Sequence, residues 1–299
     1  MNSEIRADSG ICNETKEKQR LAVSALLLLN RLFPEVKHPF NLSERGYQSY
    51  AEWEYQKAEK LYDIYDGKLA LENKRVLDIG CGSGGKTVYF LTHGAASAVG
   101  ADICEKYAKD AEAFADAQGV GDRFSFICAD AASLPLESDS FDAAVMNDSA
   151  EHVGNLAGVL AEAYRVLKPN GRLYVNFPPY FHPFGAHLSD LIRIPWVHLF
   201  FSEQTLICAY RRLAETVGDG TERVNFRFSP LADGSGEYIS YINHMTAARF
   251  GAIVGMSDFR VLCYRELPLR KMLAPLAALK RVGRPFVGCV VAILEKPKA

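Results

Sequence analysis

The 299-residue chain has no C-x-x-C pair, almost no net charge, no hydrophobic run long enough to span a bilayer and no internal repeat. Its seven cysteines (Cys12, Cys81, Cys104, Cys128, Cys208, Cys263 and Cys289) are scattered and odd in number. That pattern excludes a disulfide framework or a zinc site and suggests reduced thiols in a cytoplasm. The formal net charge of −2 provides no global basic field, so neither nucleic acid nor a membrane is expected as a partner. The one targeting suspect, Lys16 to Leu29 with its apolar run Leu21 to Leu29, is too short to cross a bilayer. It continues into Asn30-Arg31 without a small-residue cleavage site, which argues against a signal peptide. A packed helix from about Glu17 to Phe33 is the expectation, in a core or as the contact of a homodimer.

What is present begins with Arg75-Val-Leu-Asp-Ile-Gly-Cys-Gly-Ser-Gly-Gly-Lys-Thr. Val76, Leu77 and Ile79 suggest a short buried strand, Gly80 to Gly85 a sharp turn, and Lys86 to Leu91 a helix. Such a unit directs backbone N–H groups and the positive end of a helix dipole at a ligand. The stretch satisfies a dinucleotide fingerprint (Gly80, Gly82, Gly85) and, formally, a P-loop ending in Lys86-Thr87. Asp78 weighs against the P-loop, because a carboxylate beside the turn repels a triphosphate. A cationic ligand would be welcome there; alternatively Asp78 ties the loop by accepting its N–H groups.

From Lys74 onward strand and helix patterns alternate, which predicts a parallel sheet covered on both faces. Strands are expected at residues 98–102, 124–128, 141–146 and 172–177, with helices at about 105–118 and 155–167. Asp102, Asp130 and Asn147 fall at strand ends on one edge, where open α/β sheets bind ligands. Residues 178–236 lack this beat and are rich in proline and aromatics; the expectation is an irregular cap, followed by one helix over 237–254. Two last strands, 259–264 and 287–294, are separated by a helix around 270–281. Ahead of the sheet, a helix opening near Tyr47 and Tyr50 has many aromatics and is a candidate lid. The chain therefore divides into an N-terminal helical segment (1–72) and a ligand-binding domain (73–299) with a cap at about 178–250.

With these pieces placed, the chain resembles the class I S-adenosylmethionine (SAM) methyltransferases, in particular the small-molecule branch of quinone-biosynthesis and natural-product enzymes. The resemblance rests on Val76-Leu-Asp78-Ile-Gly80-Cys81-Gly82-Ser-Gly84 followed by Asp102, Asp130 and Leu167-Lys168-Pro169-x-Gly171. It covers residues 73–177 well and the last two strands moderately. It implies a Rossmann-like, mostly parallel seven-stranded sheet with an antiparallel last strand, and SAM as cofactor. By that likeness Asp78, Gly80, Cys81 and Gly82 meet the cofactor, Asp102 accepts the two ribose hydroxyls and Ile103 lies on the adenine. Asp130 and Ala131 hydrogen-bond the adenine, and Asn147 faces the methionine end. An NAD enzyme would also use Asp102 on a ribose but explains neither Asp78 nor Asp130. No Asn/Asp-Pro-Pro-Tyr signature follows the fourth strand, against a nucleic-acid substrate.

Methyl transfer from a sulfonium needs alignment and water exclusion, and a base only where the acceptor holds a proton. His152, after the fourth strand, is the first candidate base. His187, in the cap and close along the chain to Asp190, is the second. Tyr180, His182, Trp196 and His198, together with Tyr47 and Tyr50, are candidate acceptor-pocket residues. A metal is not expected. The leading expectation is an enzyme that methylates a small molecule at oxygen or nitrogen. The alternative is a SAM-fold subunit that binds without catalysing.

Overall fold

The computed structural model describes residues 4–36, 49–279 and 283–298, with side chains from residue 17 onward. Tyr47 lies outside the described residues. The helices are α1 (Glu4–Asn30), α2 (Tyr50–Ile64), α3 (Gly85–Thr92), α4 (Ala108–Ala117), α5 (Leu156–Val166), α6 (Val197–Phe200), α7 (Glu203–Ala214), α8 (Gly220–Arg227), α9 (Ala247–Gly255) and α10 (Ala274–Ala277). The strands are β1 (Arg75–Ile79), β2 (Ser97–Asp102), β3 (Phe124–Cys128), β4 (Phe141–Asn147), β5 (Leu167–Phe177), β6 (Phe228–Pro230), β7 (Glu237–Ile239), β8 (Arg260–Pro268) and β9 (Val287–Glu295).

The chain forms two compact units, residues 39–182 with 243–299, and residues 1–38 with 183–242. In the larger, seven strands run in the order β3-β2-β1-β4-β5-β9-β8. β1 to β5 are parallel neighbours, whereas β9 runs antiparallel to both β5 and β8. This is the expected Rossmann-like sheet with its antiparallel last strand. Its centre is apolar on both faces because every crossover helix covers one of them. Leu77, Ile79, Ala144 and Met146 pack with Leu160 and Ala163 of α5 and Phe250 of α9. On the other face Val76, Ala143 and Val145 pack with Leu61 of α2, Phe90 of α3 and Ala111 and Ala115 of α4. Asn155 caps α5 by accepting the Gly158 N–H at 3.0 Å, the usual remedy for orphan N-terminal donors.

The smaller unit holds α1, α6, α7, α8 and the β6–β7 hairpin. Asn30, at the end of α1, donates to the Leu191 carbonyl at 2.8 Å and accepts the Arg193 N–H at 2.7 Å. Asp190 is buried; it accepts the Tyr210 hydroxyl at 2.7 Å and pairs with Arg223 (3.3 Å) and Arg227 (3.1 Å). Arg227 in turn donates from Nε to the His187 carbonyl at 3.1 Å.

Several expectations need correction. The first helix begins at Glu4 rather than near Glu17. The stretch after β5 is not irregular throughout: α7 and α8 lie within it, α7 capped by Ser202, which accepts the Thr205 N–H. Residues 237–254 are not one helix but β7, a loop and α9, capped by Thr246. His244 sits in that loop with φ of 54°. Of the helix expected around 270–281, the described residues 270–279 form short turns around the four residues of α10 rather than a continuous helix. The helix α2 belongs to the sheet unit, while the first 38 residues group with the cap. The partner expected for His187, Asp190, is taken up by two arginines and a tyrosine.

Candidate cofactor and active site

The glycine turn after β1 is held from three sides. Gly80, Gly82 and Gly84 adopt φ of 76°, 53° and 74°, which costs a side chain heavily and glycine nothing. A Cβ at Gly80 would stand 2.6 Å from Ser149 Cβ, and one at Gly85 would stand 2.0 Å from the Ala51 carbonyl oxygen. The turn therefore fits between the loop after β4 and the first turn of α2. Ser149 donates its hydroxyl to the Ile79 carbonyl at 2.8 Å, tying those two strand ends together.

Asp102, half-buried at the end of β2, receives the Gly82 N–H on Oδ2 and the Cys104 N–H on Oδ1, each at 2.9 Å. Each carboxylate oxygen keeps an acceptor site. Ile103 beside it is 75% exposed. Asp130 is exposed after β3 and accepts the Ala132 N–H at 2.9 Å; Ala131 between them is half-buried. Asn147, at the end of β4, donates from Nδ2 to Asp148 at 3.1 Å, while its Oδ1 is buried without a hydrogen bond.

Asp78 is buried and accepts the Thr87 hydroxyl at 2.6 Å. Burial pushes its carboxyl up to about 6, against the Thr87 bond and the Lys86 charge. Cys81 is also buried, its Sγ against Gly100, and burial raises its thiol well above the usual range. Lys86 was the nominal phosphate-binding lysine of the P-loop reading. Its Nζ lies 3.3 Å from Glu54 of α2 and 3.6 Å from Asp148. Burial opposes the Lys86 charge, but Glu54, Asp148 and Asp78 outweigh it and raise its pKa. With two carboxylates on its ammonium, Lys86 is committed inside the fold, and the P-loop reading fails.

Tyr50 stacks on Trp53 at 5.7 Å, and its ring borders Gly82: a Cβ there would be 3.6 Å from Tyr50 Cε1. Ala51, Glu54, Ala58 and Leu61 of α2 are buried, so Tyr50 stands on a packed wall of the turn.

The residues 150–153 form the loop after β4. Asn243 clamps it, donating to the Ala150 carbonyl at 2.8 Å and the Val153 carbonyl at 2.7 Å, with its own N–H on the Glu151 carbonyl at 2.8 Å. Glu151 is buried with both carboxylate oxygens lacking a hydrogen bond. Burial, then the Asp148 charge, raises its pKa well above the usual value. His152 is half-buried, its Nε2 3.8 Å from Glu151 Oε1. His152 stands out in the sequence, whereas Glu54 and Asn243 do not: their roles depend on contacts that only the fold creates.

Tyr180 and His182 follow β5 in the sheet unit. The Tyr180 ring lies 4.5 Å from that of His244, and its N–H bonds the Met245 carbonyl at 2.7 Å. His187, Trp196 and His198 belong to the smaller unit and are half-buried there. His187 has φ of 53° and a ring 6.0 Å from Tyr241. Trp196, with φ of 56°, caps the N-terminus of α6, which carries His198.

Residues 77–175, from β1 to β5, match the family model described as a methyltransferase domain. The chain carries a class I SAM-dependent methyltransferase domain. Over the matched stretches it is 34% identical to sterol 24-C-methyltransferase of Pneumocystis carinii (36% of this chain, 28% of that one). It is 30% identical to the chloroplastic tocopherol O-methyltransferase of Arabidopsis thaliana (45% and 38%). It is 37% identical to 27-O-demethylrifamycin SV methyltransferase of Amycolatopsis mediterranei (38% and 42%). The match thus spans less than half the length of these relatives. Among solved structures, the cyclase SpnF superposes with a TM-score of 0.52 at 19% identity, covering 82% of this chain and 83% of that one. A SAM-dependent methyltransferase from Mesorhizobium loti gives 0.51 at 16% identity, covering 81% and 99%. These two likenesses show the fold alone.

SAM is the cofactor of this methyltransferase family, and the side chains present fit it. Asp102 offers two carboxylate oxygens with spare acceptor sites for two ribose hydroxyls. Ile103 presents exposed apolar surface beside them, and the orphaned Asn147 Oδ1 matches an ammonium donor.

Proposed function

We propose that the protein transfers the methyl group of SAM to an oxygen or nitrogen of a small-molecule acceptor, giving S-adenosylhomocysteine. When bound, SAM supplies an electrophilic methyl on a sulfonium. The observation that carries the reading is the loop after β4, where Asn243 fixes His152 beside a buried Glu151 carboxyl. His152 accepts the acceptor's proton at a ring nitrogen, with the buried Glu151 carboxyl 3.8 Å from Nε2. Asp102 and the Gly80–Gly85 turn hold the cofactor, Asn147 orients its methionine end, and Tyr50 walls the turn. Tyr180 and His182 after β5 are the acceptor-facing candidates of the sheet unit.

Methylation at carbon is the second reading. It is favoured by the likeness to a sterol 24-C-methyltransferase and to a 24-methylenesterol C-methyltransferase of Oryza sativa, 34% identical over 40% of this chain. A panel of phenols, amines and alkenes, with S-adenosylhomocysteine release as readout, separates the two. Turnover of alkenes alone would overturn the oxygen or nitrogen assignment, and no turnover with any class would favour a binding subunit. The exposed Leu21, Leu28 and Leu32 along and just beyond α1 support pairing of two copies through this helix. The six described cysteines are free, which supports a reducing, cytoplasmic setting. Among the described residues no helix is long and apolar enough to cross a membrane.

A further inference from the structure

The segment between β8 and β9 combines two properties that seldom coexist on a free surface. From Leu267 to Leu294 the chain has no acidic residue and five basic ones: Arg270, Lys271, Lys280, Arg281 and Arg284. Among the described residues of that segment, Arg270, Lys271 and Arg284 are exposed. So are large apolar side chains: Met272 is 79% exposed, Leu279 51% and Leu276 41%. Behind them opens a groove of about 750 Å3, its wall formed by Ala277, Ala278 and Leu279 on one side and Gly251, Val254 and Val261 on the other. Val261 and Leu262, on the edge strand β8, extend the exposed apolar surface. Glu266 is the acidic residue in the groove lining.

We propose that the surface formed by Arg270, Lys271, Met272, Leu276, Leu279 and Arg284 is a docking surface for an anionic phospholipid bilayer. Interleaved cations and apolar side chains suit the headgroup boundary, where charge is attracted and apolar area is buried together. The small net charge of the whole chain does not oppose this. Screening confines electrostatics to about 8 Å at physiological salt, so the local cluster governs what the surface meets. A second copy of the chain is the poorer occupant, because a two-fold contact would set the exposed Arg270, Lys271 and Arg284 against the same three cations. The docking does not depend on the methyl-transfer reading, but it would bring the enzyme to acceptors that reside in membranes.

The test is co-sedimentation of the full chain with vesicles of phosphatidylcholine alone and of phosphatidylcholine mixed with phosphatidylserine, at low and high salt. Binding to the serine-containing vesicles only, lost at high salt, is expected. The paired substitution Arg270→Gln with Lys271→Gln should weaken it about 25-fold, at about fivefold per cation near an anionic surface. Met272→Ser should weaken binding to the same vesicles without changing its salt slope. Circular dichroism and S-adenosylhomocysteine binding of both variants should match the parent, which separates lost docking from a lost fold or a failed cofactor assignment. Absence of binding, equal binding to both vesicle types, or an unchanged affinity in the paired variant would overturn the proposal. So would a vesicle-free dimer that the paired substitution abolishes.

Discussion

Lys86 Nζ lies 3.3 Å from Glu54 Oε1, joining the helix that follows the glycine turn to the helix that backs it. The two residues are 32 apart in sequence, and both side chains are largely withdrawn from solvent. Removing one member of such a pair strands the other as a buried charge, which typically costs about 3–5 kcal/mol. Lys86→Met should therefore lower unfolding free energy by about that amount in urea titrations. Adding Glu54→Leu should restore most of it, because no buried unpaired partner remains, the other carboxylate on Lys86, Asp148, being more than half exposed. A cost below about 1 kcal/mol for the single variant would mean that the pair does not hold α2 to the turn.

Asp78 should imprint a pH dependence on stability. Its carboxyl is pushed from 3.8 to about 6 in the fold by burial. Between those values the folded chain holds the proton more tightly than the unfolded one. The stabilising contribution is therefore complete below about pH 4 and is lost as pH rises through about 6. Its size is on the order of 3 kcal/mol. Asp78→Asn keeps an acceptor for the Thr87 hydroxyl, so its stability should fall less than the parent's from pH 4 to 6. Parallel stability curves would show that Asp78 is not the group responsible.

His152 and Glu151 should separate in kinetics. If His152 takes the acceptor's proton, His152→Ala should lower turnover by about 10²–10⁴-fold and leave SAM affinity nearly unchanged. The loss should shrink with an acceptor analogue that arrives already deprotonated. Glu151→Gln removes the carboxyl but keeps its shape; it should lower kcat less than His152→Ala and change the pH profile. An equal loss on both acceptors, with weakened SAM binding, would make His152 a packing residue. His187→Ala offers the matching control: the same selective pattern there would move the base into the smaller unit.

The parts of the protein that were legible in the sequence are those set by local pattern. The strand, glycine turn and helix at residues 75–92 could be read directly, as could Asp102 at the end of β2, because hydrophobic run length and φ-permissive glycines act within a few residues. Glu54 with Lys86, Asn243 on the carbonyls of residues 150 and 153, and Arg223 and Arg227 on Asp190 are long-range pairings. Nothing in the spacing of those residues announces them. In the cap, prolines and aromatics hid α7, although Ser202 before Thr205 and the apolar Leu206, Ile207, Tyr210 and Ala214 carry a capped helical period. The helix expected over residues 237–254 mixed the apolar residues of β7 with those of α9, and a continuous period was read across a loop.

The most direct measurement is calorimetric titration of the protein, and of Asp102→Ala, with S-adenosylhomocysteine, NAD and ATP. The parent should bind S-adenosylhomocysteine and show no comparable affinity for NAD or ATP. Asp102→Ala should bind S-adenosylhomocysteine at least tenfold more weakly, since two hydroxyls lose a charged acceptor, each hydrogen bond being worth about 1.5–3 kcal/mol. Unchanged affinity in Asp102→Ala, or a parent that prefers NAD, would contradict the account.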